Sequence, residues 1–451
     1  MQVMVRRSGP VSGSAELPGD KSIAHRVLIL AATARGSSRI DGLPSGLDVR
    51  ATARVVASVA PTASPGLETW LRLAEVDAPT RDDVGDGGHP EVRVEGDGWE
   101  GLSPGPRDLD CANSGTTIRL MSGVLAGAPF RSMLSGDESL RRRPMERVAR
   151  PLRAMGAEVS TTDGRAPLEI TGGPLQGIEW STDVPSAQVK GAVLLAGLVA
   201  HGRTQVREPA PSRDHTERLL ESLGAPVERL ERGVALSAFQ HEGFEATVPG
   251  DVSSAAFLIA AAAITGGSVT IRDVGLNPTR VAFIDVVRRM GVATSAETVR
   301  TSLGEPIGQL DVEATELYGT RVSADELPLV IDEVPALAAI AAHADGETRF
   351  EGAGELRLKE SDRLTALADG LCELGGAARV EGDTLVVAGG GLDGGSTNAR
   401  GDHRLAIAFT VAALAARHQS DIEGIEAADV SFPGFVAVMK SLGADVEVQL
   451  R

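Results

Sequence analysis

Apolar positions along the chain fall into two alternating kinds of segment. The first is a run of Ala, Leu, Ile and Val that is apolar nearly all round, beginning near Lys21, Ser114, Ser186, Val252, Asp332 and His403. A helix with no polar face is a buried helix. Each run leads into a β-branched segment. The second kind is amphipathic and closes on a Leu-Gly or Met-Gly pair, at Ala154-Met-Gly-Ala, Ser222-Leu-Gly-Ala, Arg289-Met-Gly-Val, Glu373-Leu-Gly-Gly and Ser441-Leu-Gly-Ala. Glycine just past the last periodic residue is a helix stop signal. These segments predict surface helices, each followed by a short alternating strand. A sixth surface helix is expected around Val49 to Val59. It leads into the Pro/Gly/Asp-rich stretch from Pro61 to Asp110, read as the least regular part of the chain.

The pattern repeats on a larger scale. Leu17 to Leu43 and Val248 to Val274 share Pro-Gly-Asp, the following Ser, an Ala-rich run and a Gly-Ser pair, at a separation of 231 residues. Six units of one buried and one outer helix therefore predict an α/β protein of two similar domains with three units each. The Pro-Gly-Asp turns at Pro18 and Pro249 are the expected crossovers. They give an N-terminal domain over 20–249 and a C-terminal domain over 250–451 completed by 1–19.

Composition narrows the chemistry. The chain has 451 residues, 44 Lys+Arg against 62 Asp+Glu and a net charge of −18, which speaks against nucleic acid as a main partner. Two cysteines, Cys111 and Cys372, allow no disulfide framework and show no metal spacing. The longest apolar run, Leu405 to Ala416, is too short for a bilayer span. A cytoplasmic monomer with no membrane partner, metal or cofactor is expected. Only four lysines occur, Lys21, Lys190, Lys359 and Lys440, so a lysine within a motif invites a chemical reading.

Polar residues collect at the starts of the buried helices. Lys21, Ser22 and Arg26 open the first, and Asn113-Ser-Gly-Thr-Thr-Ile-Arg119 opens the second. Ser186, Ala187, Gln188 and Lys190 open the third, while Ser212 and Arg213 open its outer partner. Helix N-termini favour anions, although capped helices with solvated charges have the same composition. Within Arg141-Arg-Arg-Pro144, Arg143 is the member expected to be held in place. In the C-terminal half, Asp332-Glu333 is expected to begin a helix. Lys359-Glu-Ser-Asp-Arg363 is expected to place Lys359 and Arg363 on one helical face. Arg404, in the most apolar run, calls for an anionic partner. So many cations at helix starts in an acidic chain imply a concentrated anion site, with Asp332 and Glu360 available for acid–base work.

Together PGDKSIAHR (18–26), NSGTTIR (113–119), RRP (142–144), SAQVK (186–190), SRDHTE (212–217), IDEVPALA (331–338), LKESDR (358–363) and DHRLA (402–406) resemble the 5-enolpyruvylshikimate-3-phosphate synthase family. SAQVK and SRDHTE are similar to the branch common in many bacteria. The resemblance implies the enolpyruvyl transferase fold, two domains of three βαβαββ units around a pseudo-threefold axis, with domain closure excluding water. It implies that shikimate 3-phosphate contacts Lys21, Ser22, Arg26, Ser186, Ala187, Gln188, Ser212, Arg213, Asp332 and Lys359. Phosphoenolpyruvate is implied to contact Lys21, Asn113, Gly115, Arg143, Gln188, Arg363 and Arg404. Asp332 would be the base toward the acceptor hydroxyl and Glu360 the acid at the methylene, with Lys21 assisting.

The chain departs from the family pattern at two positions. Val430 precedes Ser431-Phe-Pro433, where enteric members carry a lysine, and Glu355 replaces an asparagine. Gly115 is the position at which resistant family members often carry Ala, so sensitivity to glyphosate is implied, opposed by Val430. A sister enzyme acting on UDP-N-acetylglucosamine usually has a reactive Cys before an Arg-Pro, and residues 127–144 contain none. A non-catalytic anion-binding protein of the same fold and a paralogue acting on another cyclic alcohol are the other readings.

Overall fold

The structure, a computed structural model, describes residues 1–75, 91–105 and 108–449. The chain divides into two compact units, one of Gly19–Pro249 with Thr301–Glu305 and one of Met1–Pro18, Gly250–Arg300 and Pro306–Arg451. Gly19 and residues 301–305, expected with the C-terminal half, pack with the N-terminal one.

A single local pattern builds both units. A strand enters a buried helix, and the strand that leaves it pairs in parallel with the first. Asp108–Asp110 and Arg131–Ser135 flank helix Gly115–Ala126, and Glu179–Ser181 and Arg203–Arg207 flank helix Ala187–Gly197. Arg321–Val322 with Glu347–Phe350, and Ser396–Asn398 with Ser420–Glu423, do the same around Val334–Ala341 and His403–Ala413. An outer helix and an antiparallel hairpin then complete four of the six units among the described residues, as with Glu158–Thr162 and Arg165–Thr171.

The Pro-Gly-Asp turns exchange strands between repeats. Gly13–Glu16, which precedes helix Lys21–Thr33, pairs in parallel with Ser268–Gly275, which follows helix Val252–Thr265. Glu245–Thr247, which precedes Val252–Thr265, pairs with Arg35–Asp41 after Lys21–Thr33. Gln2–Val5 fills the hairpin position of the last unit, antiparallel to both Ser420–Glu423 and Val446–Gln449. This pairing is why the N-terminal 18 residues belong to the C-terminal unit.

The five predicted outer helices end at Ala154, Ser222, Arg289, Glu373 and Ser441. Two residues later Gly156, Gly224, Gly291, Gly375 and Gly443 all have positive φ, which glycine adopts without Cβ strain. The sixth outer helix runs from Leu47 to Val59. The stretch from Pro61 is more regular than expected. It forms helix Ser64–Glu75 and strand Val92–Asp97, antiparallel to Arg35–Asp41, while residues 76–90 lie outside the described part.

The six core helices are buried, and those within a unit pack on one another. At Gly123 a Cβ would lie 2.1 Å from the carbonyl of Ala192, so glycine is what lets the second and third helices approach. Lys190, a full turn into the third, lies in the core between Glu208 (2.7 Å) and Glu217 (2.8 Å). Burial lowers its pKa, but the charges of Glu217 and Glu208 outweigh burial and raise it, so the ammonium stays charged.

Lys190→Met leaves two buried carboxylates facing each other and is expected to cost about 3–5 kcal/mol of stability at neutral pH. Without the cation these carboxylates bind protons more readily folded than unfolded, so the deficit should shrink as pH falls. Urea denaturation at neutral and mildly acidic pH checks both effects. An equal deficit at the two pH values would rule out the charge explanation.

Candidate active site

In the N-terminal unit three buried helices present their first turns to one another. Asp20 caps the first, accepting from the amides of Ser22 (2.7 Å) and Ile23 (3.1 Å). Ser114 and Ser186 cap the other two, accepting from the amides of Thr117 and Val189. Lys21 leaves the cap partly exposed, 3.1 Å from Asp48 at the start of the neighbouring outer helix. One turn further in, His25 Nδ1 lies 2.6 Å from Thr52 Oγ1. Thr52 continues to Thr117 Oγ1 (2.6 Å), which donates to Ser114 Oγ (2.7 Å). Burial, then the charges of Lys21 and Arg26, push the His25 imidazole well below its ordinary pKa, so this chain is neutral.

Arg26 is almost fully buried and braces two of the helix starts. Its Nε donates to Thr216 (2.7 Å), Nη1 to the Ser22 carbonyl (2.7 Å) and Nη2 to the Ala187 carbonyl (3.4 Å). Burial is the main cause that pulls its pKa down to about 10, and the charge of Arg213 acts in the same direction. Arg119 Nη1 donates to Gln188 Oε1 (2.6 Å), and Gln188 Nε2 donates to Thr116 (2.8 Å). Arg143 is buried, as expected of that member of its cluster, and donates to Asn113 Oδ1 (2.6 Å). Asn113 in turn donates to Asp137 (2.6 Å). A Cβ on Gly115 would lie 2.8 Å from Arg119 Nη1 and 2.9 Å from Arg143 Nη1. Glu208 gathers the remaining motifs, accepting from the amide of Ser186 (2.9 Å), the hydroxyl of Ser212 (2.8 Å) and Lys190. Beside them His215 Nδ1 lies 2.8 Å from the buried Glu305.

The C-terminal unit assembles a second cluster. Asp402 caps helix His403–Ala413 and receives Arg363 on both oxygens, from Nε at 2.9 Å and Nη2 at 3.0 Å. Ser361 donates to the same carboxylate (3.0 Å). Arg363 Nη2 also reaches Glu360 at 2.5 Å, and its Nη1 lies 4.0 Å from Asp332. Lys359 approaches Asp332 at 3.2 Å. Burial lowers the pKa of Arg363, but Asp402 and Glu360 more than reverse this, so the guanidinium is permanently charged.

Several sequence expectations need correction here. Asp332 and Glu333 do not begin the helix. They lie in a turn between Leu327–Val330 and Val334–Ala341, because Pro335 sets the first turn after them. Lys359 and Arg363 do not share a helical face. A 3₁₀ turn ends at Leu358, and Asp362 caps a new helix starting at Arg363 by accepting from Thr365 N (3.1 Å). The two cations meet at Asp332 instead. The expected anionic partner of Arg404 is a backbone oxygen, the carbonyl of Asp332, 2.7 Å from Nη1. Val430 closes a 3₁₀ turn and Glu355 lies in another. Sequence reading also missed Asp48 and the pairing role of Asp402. Asp402 had a detectable signal, since an Asp two residues before a buried Arg at a helix start is a cap.

The family model EPSP synthase (3-phosphoshikimate 1-carboxyvinyltransferase) matches residues 5–63 and 84–439. A protein named 3-phosphoshikimate 1-carboxyvinyltransferase from Halorhodospira halophila is 46% identical over 449 residues, covering 98% of this chain and 96% of its own. A solved EPSP synthase from Acinetobacter baumannii superposes with a TM-score of 0.84 at 37% identity over 100% of each chain. The enolpyruvyl transferase NikO from Streptomyces tendae has a TM-score of 0.74 at 19% identity over 99% of this chain and 98% of its own, a likeness of fold. With the motifs in order and matched along nearly the whole length, the chain belongs to the EPSP synthase family.

Proposed function

We propose that the chain transfers the enolpyruvyl group of phosphoenolpyruvate to the 5-hydroxyl of shikimate 3-phosphate, releasing phosphate, on the route to aromatic amino acids. The observation that carries this reading is the C-terminal cluster. Asp332 and Glu360, with side chains 16% and 22% exposed, each hold a cation, while Arg363 and Asp402 are buried. Two carboxylates among fixed cations suit a reaction that moves one proton onto carbon and another off a hydroxyl. Both substrates are polyanions, and their mutual repulsion requires cations already in place.

Lys21, Ser22, Arg26, Ser186, Ala187, Gln188, Ser212 and Arg213 would serve shikimate 3-phosphate in the N-terminal unit. Lys21, Asn113, Gly115, Arg143, Gln188, Arg363 and Arg404 would serve phosphoenolpyruvate. Glu360 gives its proton to the methylene carbon, which makes C2 electrophilic. The 5-hydroxyl oxygen bonds to C2 as Asp332 takes its proton, with Lys359 steadying the carboxylate. The tetrahedral adduct then returns a methyl proton to the Glu360 carboxylate, re-forms the double bond and expels phosphate. Arg363 spends one nitrogen on Glu360. An incoming phosphate competes for that nitrogen, and a nearby dianion favours the protonated carboxyl the first step needs. Among the described residues no helix is long and apolar enough to cross a membrane, and we read the chain as a cytoplasmic monomer.

Phosphate release from phosphoenolpyruvate should depend on shikimate 3-phosphate, and release with UDP-N-acetylglucosamine instead would overturn the assignment. Glu360→Gln should lower turnover by ~10²–10⁴ with shikimate 3-phosphate binding unchanged by calorimetry. A rate within a few-fold of the parent removes Glu360 from the proton transfer.

Gly115→Ala places a methyl against two guanidinium ends, a crowding worth about 1–3 kcal/mol. It should raise KM for phosphoenolpyruvate by roughly tenfold and leave that for shikimate 3-phosphate nearly unchanged. Glyphosate should compete with phosphoenolpyruvate in the parent, and its inhibition constant should rise further than KM in the variant. Equal changes in both KM values would detach Gly115 from the phosphoenolpyruvate side.

A further inference from the structure

The start of helix Val252–Thr265 repeats that of Lys21–Thr33 with a different outcome. Asp251 accepts from Ser253 N at 2.8 Å as Asp20 accepts from Ser22 N at 2.7 Å. The place of Lys21 is taken by Val252, which is buried. Ser253 is buried as well, whereas Ser22 is partly exposed.

The chain itself closes this helix start. Arg280, just before outer helix Ala282–Arg289, puts Nη2 2.6 Å from Ser253 Oγ, 3.4 Å from Asp251 Oδ1 and 3.7 Å from Glu333 Oε1. Ser253 Oγ also donates to Glu333 Oε1. The side chains of Arg280, Asp251 and Glu333 are 3%, 5% and 1% exposed. Two carboxylates around one guanidinium leave a net negative charge in the core. The positive end of a 14-residue helix offsets part of it. A carboxylate buried this deeply is held hard, because withdrawing it from its partners leaves a charge uncompensated.

Glu333 is the residue after Asp332. We propose that Arg280 and Ser253, acting through Glu333, are positioning residues that hold Asp332 in its working geometry; this rests on the reading of Asp332 as the base. The turn 331–333 is pinned from two sides. The Glu333 side chain is anchored in the Arg280 cluster, and the Asp332 carbonyl accepts from Arg404 at 2.7 Å. With its backbone fixed at both points, the Asp332 carboxylate is free only to rotate about its own side-chain bonds, and Lys359 at 3.2 Å selects one orientation. The outer helix turn that carries Arg280 thereby helps place a proton acceptor it never touches.

The test is a cycle of Glu333→Gln, Asp332→Asn and the double variant, with kcat, both KM values and thermal stability measured on the full-length protein. Glu333→Gln keeps size and hydrogen-bonding capacity while removing the charge that Arg280 holds. It should lower kcat ~10- to 100-fold, the scale of a misplaced catalytic group, with each KM within about twofold. In the Asp332→Asn background the same change should cost nothing further, since its effect runs through Asp332. A kcat within twofold of the parent, or the same fold loss in the Asp332→Asn background, overturns the inference. Should Asp332→Asn itself keep parental kcat, the assignment of the base falls, an outcome the single variant reports separately. If Glu333→Gln does not fold, Ser253→Ala removes the shared hydroxyl with little change of volume and is read by the same cycle.

Discussion

Each unit brings the N-termini of three buried helices together, and the chemistry of the chain follows from that one constraint. A helix start leaves N–H groups unpaired and carries about half a positive charge. Aspartates and serines cap these starts, at Asp20, Ser114 and Ser186 in one unit and at Asp251 and Asp402 in the other. Buried guanidiniums then tie the starts to each other. Arg26 bonds to the carbonyls of Ser22 and Ala187, and Arg404 bonds to that of Asp332. Adding cations to positive helix ends is unfavourable unless anions join them. In the C-terminal unit the anions are Asp402 and Glu333. In the N-terminal unit the charge of Arg213 adds to the cost of charging the buried Arg26.

The repeat shows how one scaffold yields both structural and reactive cations. The turn before an outer helix carries Arg143, Arg213 and Arg280, and Arg363 is the first residue of another. The position is similar each time, but the surroundings differ. Arg280 is enclosed by Asp251, Ser253 and Glu333. Arg363 is anchored on Asp402 and keeps a contact with the more exposed Glu360. Arg143 donates to the side-chain oxygen of Asn113. Divergence of the repeats has changed the partners of the arginine more than its placement.

The fold was largely readable from sequence because its signals are local. An all-apolar run marks a buried helix, Met-Gly or Leu-Gly marks the stop of an outer one, and the Pro-Gly-Asp turns mark the crossovers. Helix Ser64–Glu75 escaped notice because Pro65 and Gly66 suggest a loop, yet proline is tolerated in a first turn. The motif residues at the helix starts were readable for the same local reason. Their partners were not. Asp48 pairs with Lys21 across 27 residues, and Glu333 meets Arg280 across more than fifty, with no periodicity linking them. The break between Lys359 and Arg363 was missed because four polar residues in a row fit a helical turn as well as a capped restart, and only the bonds of Asp362 to Thr365 decide between them.

The ion pairs also differ in what a substrate can do to them. Arg363 and Asp402 are 1% and 0% exposed, and separating them would leave two buried charges unpaired, a loss of about 3–5 kcal/mol. No phosphate oxygen compensates that without replacing the carboxylate in the same place, so this pair is permanent and holds the guanidinium plane. Glu360 and Asp48 stand nearer to solvent, at 22% and 13%, opposite Arg363 and Lys21. Pairs reached by water are worth far less, about 1 kcal/mol or below when fully exposed, and these two lie between the extremes. An arriving dianion can therefore take over the cation in these pairs while the buried anchor stays. The carboxylate it displaces remains beside it, and in the proposed mechanism the nearby dianion favours the protonated Glu360 that would donate to the methylene carbon.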